Sequence, residues 1–283
     1  MAMGITDTIL LGALGNDALA AGGLGATLVF TIIILLQGAL TAVSVLVSQA
    51  RGAGRDAGVP VLYWTGLLLA LLLAIPAFAL FTMTEAILLA VGEPPTLARD
   101  TARYTDVMRW GTPGAMVAIG LMRAFLPAIG RGAMLLWVSI GAAVLNGFLC
   151  YGLIHGTWGL PAMGLEGAAL ASAIVLTIAA AALLALLHGR PALRHFVAWT
   201  RPDLRVLGAM LRLGVPVSGS FAVEAGLFLA VGLMIGLLGA APLAAQQIAL
   251  SVTSVAFMIP LAIAQAANVR VGHRFGALDL AGA

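Results

Sequence analysis

Two carboxylates stand in stretches that otherwise hold almost nothing polar: Asp7 inside ITDTILLGALG and Glu224 inside SGSFAVEAGLFLAVG. If these stretches are membrane helices, Asp7 lies about eight residues, or about 12 Å, from the end of its span, near the middle of a ~30 Å hydrocarbon core. Glu224 lies about eleven residues after Leu213 and about fifteen before Gly239, again near the middle of its span. A carboxylate at that depth costs about 3 kcal/mol on insertion scales unless it faces a cavity, pairs with a cation or carries a proton. The chemistry this points to is reversible binding of H⁺ or Na⁺. A structural hydrogen bond is the plainer alternative for each acid.

A second tier of polar residues could face the same cavity: Gln37 and Ser44, Asn146, Ser172, and Gln246, Gln247, Gln265 and Asn268. Taken singly, each reads as a hydrogen bond between helices before it reads as a ligand contact. Asn146 is the strongest of them, since its neighbours are apolar on both sides. Enzyme chemistry finds no support. His155, His188, His195 and His273 have no acidic or cysteine partner at ligand spacing, no nucleophile constellation is present, and Cys150 is the single cysteine. Glycine-rich stretches fall in turns and between apolar runs, where they suit close helix packing rather than phosphate cradles. No cofactor is expected beyond the coupling ion.

The elements that must position these residues follow from composition. Of 283 residues, 62% are hydrophobic and 9% charged, against about 45–50% and about 25% in soluble domains. A polytopic, all-α membrane protein results, and soluble and disordered classes are excluded. Apolar runs and turn signals predict spans at 1–15, 24–50, 58–82, 102–124, 132–155, 164–188, 204–239 and 242–271. No segment alternates as a barrel strand would. Pro76, Pro113, Pro216 and Pro260 fall inside spans as candidate bends, and the five tryptophans fall near span ends, as an aromatic belt would. Residues 201–212, RPDLRVLGAMLR, suit either a helix lying in the interface or the polar start of a long helix.

All 14 basic residues are arginine. They concentrate after spans two, four, six and eight, which predicts a multi-pass protein of the inner (plasma) membrane with those loops cytoplasmic. With a formal charge of only +3, no nucleic-acid partner is expected; the lipid bilayer is the expected surroundings.

The chain also repeats. LGALGNDALAA at 11–21 matches IGLLGAAPLAA at 235–245, an offset of 224 residues (position 19 onto 243), and the same offset lays Val47, Gly52 and Ala53 on Val271, Gly276 and Ala277. Six spans separate the copies, an even number, so the halves are parallel repeats, an architecture typical of transporters. The organisation predicted is a first six-helix lobe at 1–188, a linker at 189–203 and the first two helices of a second lobe at 204–283. Under the repeat, Glu224 falls two helical turns from Asp7 on the same face of equivalent helices. A complete second copy would need about four more helices, and the first span, at about 22 Å, is shorter than the bilayer core. The expectation is that the sequence is a piece of a longer transporter.

Six motifs carry a resemblance to a known family: MGITDTILLGALGNDALAA (3–21), SQARGAGR (48–55), RAFLPAIGR (123–131), LNGFLCYGLIHGTWGLPAMGLEGAALAS (145–172), LRLGVPVSGSFAVEAGLF (211–228) and LAAQQIALSVTSVAFMIPLAIAQAANVRVG (243–272). Together they resemble the multidrug and toxic compound extrusion (MATE) transporters, NorM-like members in particular. The resemblance implies a monomeric twelve-helix antiporter of two lobes, exporting organic cations and drugs against Na⁺ or H⁺. It places Asp7 on the family's first-helix aspartate, Glu224 on the seventh-helix glutamate of cation coupling, and Asn146 on the fifth-helix asparagine. Where the proton-coupled branch has a second aspartate one turn after that asparagine, this chain has Cys150. The family's tenth-helix aspartate would lie beyond Ala283. Two alternatives remain at this point: a flippase for lipid-linked precursors from the same superfamily, which would want arginines in its cavity, and an inactive fragment.

Overall fold

A computed structural model describes residues 2–236 and 240–278. The path is helical throughout: α1 (Ala2–Gly12), α2 (Asn16–Gly52), α3 (Val59–Thr82), α4 (Thr84–Val91), α5 (Pro95–Met108), α6 (Thr112–Ala115), α7 (Arg123–Ala128), α8 (Gly132–His155), α9 (Gly164–Gly189), α10 (Leu204–Gly236) and α11 (Ala240–Gly276). With α5 to α7 taken as one broken passage and α4 as a short connector, the described residues make the eight expected passages. Among the described residues, five helical stretches are long and apolar enough to cross a membrane on length and composition. The end of the expected seventh span at 237–239 lies outside the described residues.

Two differences from expectation have physical causes. Helix α2 begins at Asn16, eight residues before the predicted start, because Gly22 and Gly25 act as contact points rather than breaks. A Cβ on Gly22 would lie 2.5 Å from Leu11 Cδ1, and one on Gly25 would lie 2.6 Å from the Tyr104 ring, so small residues there let helices approach. The reversal between α1 and α2 falls on Gly15, whose φ of 117° favours glycine.

The fourth passage starts at Pro95 rather than 102. Ala98, Thr101, Ala102, Thr105 and Met108 are buried at helical spacing, while the charged residues between them pair locally: Arg103 with Asp100 at 3.4 Å and Arg109 with Asp106 at 3.0 Å. Local pairing lets a charged helix end begin within the headgroup region. The passage then runs through a 3-10 turn at Arg109–Gly111, Pro113 near the start of α6, and a π-helical stretch at Met116–Met122. Residues 201–212 take the second of their two readings: the helix from Leu204 runs on continuously through Pro216.

Helix α2 is the hub, packing on α3, α5 and α7 on one side and on α10 and α11 on the other. The core around it holds Leu40, Tyr63, Phe81, Met116 and Phe125. Trp137, Val144 and Phe148 on α8, and Val223 and Leu227 on α10, point outward, as lipid-facing residues do when solvent is hydrocarbon. Four of the five tryptophans are exposed near helix ends; Trp64 instead donates its Nε1–H to the Ala198 carbonyl at 3.1 Å.

Candidate functional site: a buried carboxylate between three helices

Helix α1 packs against α2, α8 and α9. Its seat is made by small residues: Gly22 receives Leu11, a Cβ on Gly147 of α8 would meet Thr6 at 3.5 Å, and α8 meets α9 where a Cβ on Gly167 would lie 2.6 Å from the Leu153 carbonyl. This close packing brings Asp7 to the interior at 8% exposure, beside Asn146 of α8 at 0% and Ser172 of α9 at 7%.

The three form a relay. Asn146 Nδ2 donates to Ser172 Oγ at 3.1 Å, and Ser172 Oγ donates to Asp7 Oδ2 at 3.1 Å. The serine hydroxyl can do both because it carries one donor and two acceptor sites. Two acceptors are left over: Asp7 Oδ1 and Asn146 Oδ1 are buried and have no hydrogen-bond partner. Each such group costs about 1–3 kcal/mol if it stays unmatched. The Cys150 thiol, one turn after Asn146, also lies close to the carboxylate, and Tyr104 of α5 lies within electrostatic range of it.

No cationic side chain pairs with Asp7 among the described residues; the ion pairs there are Arg51–Asp56, Arg99–Glu85, Arg103–Asp100 and Arg109–Asp106. The leftover atoms are all oxygens, a donor set suited to a proton or a hard cation and unsuited to a soft metal. No group of three or more His, Cys, Asp or Glu side chains capable of holding a metal occurs among the described residues.

The other predicted residues lie elsewhere. Glu224 is exposed on α10 and makes no hydrogen bond or ion pair among the described residues. Gln265 and Asn268 are exposed on α11, and Gln37 is half-buried on α2, next to the point where Gly38 meets Ser218 of α10. The side chain of Gln246 lies outside the described residues. The structure thus gathers Asp7, Asn146 and Ser172 into one site and leaves Glu224, Gln37, Gln265 and Asn268 out of it. Tyr104 was not among the sequence candidates; it falls near the start of the predicted fourth span, in a charged stretch, and helix packing turns it inward.

Comparison with known proteins gives one consistent answer. The chain matches the family described as MatE over residues 1–152 and 216–283. It is 57% identical to a probable multidrug resistance protein NorM of Burkholderia mallei over 277 residues, covering 98% of this chain and 59% of that protein. It is 55% identical to the multidrug resistance protein NorM of Burkholderia vietnamiensis over 279 residues, 99% of this chain and 60% of that one. Its fold superposes on the crystal structure of the eukaryotic MATE transporter AtDTX14 with a TM-score of 0.86 at 22% identity, covering 97% of this chain and 61% of the other. The chain spans about three fifths of the length of the relatives it matches.

Proposed function

The chain belongs to the MatE family of membrane transporters, and on that premise we propose that it supplies the first lobe, 1–188, and the opening helices of the second, 204–283, of a multidrug exporter. The exporter works by antiport: organic cations leave as H⁺ or Na⁺ enters, and Asp7, held by Ser172 and Asn146, is where the two fluxes compete. The observation that carries this reading is the buried Asp7 carboxylate, bonded through one oxygen to Ser172 and with its other oxygen, like the Asn146 side-chain oxygen, left without a partner. A proton or Na⁺ there satisfies the carboxylate, and its departure leaves a negative charge attractive to a lipophilic cation.

Alternating access requires the two lobes to rock about their junction. In this chain the junction is α2 against α10 and α11. Glu224 is the second acid of the proposal, on the helix that the repeat pairs with α1. The helix ends rich in arginine face the cytoplasm, and the protein resides in the inner membrane. The flippase alternative is disfavoured by the site's chemistry, since no arginine pairs with Asp7 among the described residues and a bare carboxylate repels an anionic headgroup.

Ethidium accumulation tests the reading in cells producing the whole transporter. Asp7→Asn keeps the size of the side chain, exchanges one acceptor oxygen for an amide donor and removes the charge. Export should fall to the level of cells lacking the protein while the membrane level stays unchanged; export that continues undiminished would remove Asp7 from the coupling step.

A further inference from the structure

The loop between α8 and α9 holds a bulky residue where the backbone favours glycine. Trp158 has a φ of 57°, between Gly156 at 70° and Gly159 at 81°. A side chain with a Cβ is disfavoured in this left-handed region. Such a conformation persists where the contacts around it over-determine it, and it then points to a role.

The contacts at Trp158 are with α8. Its ring stacks on Phe148, with centroids 4.1 Å apart and planes 4° from parallel, and meets Tyr151 at 5.7 Å. Between these two rings and the loop lies Gly152, where a Cβ would be 3.1 Å from the Trp158 ring and 2.9 Å from Leu160. Phe148, Tyr151 and Gly152 stand at i, i+3 and i+4, so they form one face of α8, and the loop folds back onto that face. Its backbone is closed on the same turn. The Gly152 carbonyl accepts the N–H groups of Gly156 at 2.9 Å and Thr157 at 3.2 Å, and the Leu153 carbonyl accepts that of Met163 at 2.8 Å.

The Leu153 carbonyl has a second neighbour, Gly167 of α9, which rests against it. Loop closure and helix crossing therefore share one group. Leu153 lies seven residues after Asn146, about two turns and about 10 Å along the same face of α8. Ser172 lies five residues after Gly167, about 7.5 Å along α9. Counted from the shared carbonyl, the two antiparallel helices bring Asn146 Nδ2 to Ser172 Oγ at 3.1 Å, and Ser172 Oγ to Asp7 Oδ2 at 3.1 Å. A slide of about 2 Å between the helices, little more than the rise of one residue, would stretch a bond of this length across the pair to about 3.7 Å, too long for a hydrogen bond.

We propose that Trp158 is a positioning residue for the Asp7 site. Its stack on Phe148 seats the loop, the loop fixes the register of α9 on α8, and that register delivers Ser172 to the carboxylate. The consequence for transport rests on Asp7 being the coupling site, whereas the effect on the carboxyl group can be read without transport. A tryptophan that served only as an interfacial anchor, as its exposure also suits, would leave Asp7 untouched.

The test follows the infrared C=O band of the protonated Asp7 carboxyl in the purified 283-residue chain, recognised as the band lost in Asp7→Asn. With the proton on Oδ1, the oxygen without a partner, Oδ2 is the carbonyl that accepts from Ser172. Ser172→Ala should move the band to higher wavenumber, because an unbonded carbonyl is stiffer. Trp158→Ala should move it in the same direction, and Trp158→Phe, which keeps a ring on Phe148, should restore it. Trp158→Gly suits the left-handed backbone, so it preserves the fold while removing the stack, and should shift the band as Trp158→Ala does. Trp199→Ala, at the other end of α9, should leave the band in place. Trp158→Ala combined with Ser172→Ala should move it no further than Ser172→Ala alone, since two changes that act through one hydrogen bond do not add. A band unmoved in Trp158→Ala and Trp158→Gly, or shifts that add in the double variant, overturns the proposal. In the whole transporter, the pH profile of ethidium export should be displaced alike by Trp158→Ala and Ser172→Ala. A displaced infrared band with an undisplaced export profile would keep the positioning role and remove Asp7 from the coupling step.

Discussion

Asp7 and Glu224 are the same kind of residue at related places in a repeat, and the structure treats them oppositely. Asp7 sits on a helix only 11 residues long, yet it is enclosed by α8 and α9 and bonded through Ser172 to Asn146. Glu224 sits on a helix of 33 residues, yet α10 is packed mainly along α2, and the glutamate faces outward with no polar partner among the described residues. What encloses a membrane carboxylate is therefore the set of helices packed around it, not the length or hydrophobicity of its own helix. The expected cost of a bare charge in hydrocarbon, about 3 kcal/mol, is offset in part at Asp7 by the hydrogen bond from Ser172, whereas Glu224 has no such partner among the described residues.

The contrast breaks most sharply on ion release. Adding tetraphenylphosphonium to the purified chain in lightly buffered detergent, at a pH where the site is protonated, should release protons. Asp7→Asn should reduce that release to about a tenth or less, because the titrating group is gone. Glu224→Gln should leave most of it in this chain. If the two variants lose release equally, enclosure is not what distinguishes the acids.

The next largest effect concerns how α10 is held on α2. A side chain on Gly214 would overlap the Ala39 carbonyl, whereas Gly219, on the same helix, has open space around it. Gly214→Leu should destabilise the chain by about 3 kcal/mol through overpacking of the crossing, and Gly219→Leu should stay within about 0.5 kcal/mol. Thermal unfolding in detergent, followed by circular dichroism, separates them. Equal effects would mean that α10 is not seated on α2 through this glycine.

Smaller again is the effect of cutting the relay. Ser172→Ala removes the hydroxyl that donates to Asp7 and accepts from Asn146, and it strands two buried groups in place of one satisfied chain. The expected loss is about 2 kcal/mol, read in the same unfolding measurement, with Ser172→Thr recovering part of it. A neutral Ser172→Ala would show that the relay does not hold the site together.

How much of this was legible from residues alone divides along physical lines. Asp7, Asn146 and Ser172 stood out because polar atoms in long apolar runs are costly, and the cost is local enough to read in one dimension. The repeat was legible because LGALGNDALAA returns as IGLLGAAPLAA, although residues 237–239 of the second copy lie outside those described. The starts of α2 and α5 were not legible. Gly22 looks like punctuation until Leu11 is seen filling the space above it, and Arg99 and Asp100 look like loop until the i,i+3 pair of Asp100 with Arg103 is seen. Gln265 and Asn268 read as hydrogen bonds between helices before they read as cavity residues, and in this chain they are exposed on α11; helical spacing fixes which residues share a face but not which face is covered. The contact between α2 and α11 joins residues more than two hundred positions apart, through the close approach at Gly52 and Gly276.

The smallest effect makes the finest test of the comparison. Glu224 has no partner to lose among the described residues, so Glu224→Gln should change the unfolding free energy of this chain by no more than about 0.5 kcal/mol, as surface substitutions do. The same substitution in the whole transporter should lower ethidium export by about tenfold or more if the residue is the second coupling acid, since removing a coupling charge acts on function rather than on packing. Stability unchanged with export lost would place the role of Glu224 in what covers α10 outside this chain. A loss of stability of about 2 kcal/mol in the isolated chain would point the other way, to a buried partner for Glu224, and the two acids would then differ less than their exposure indicates.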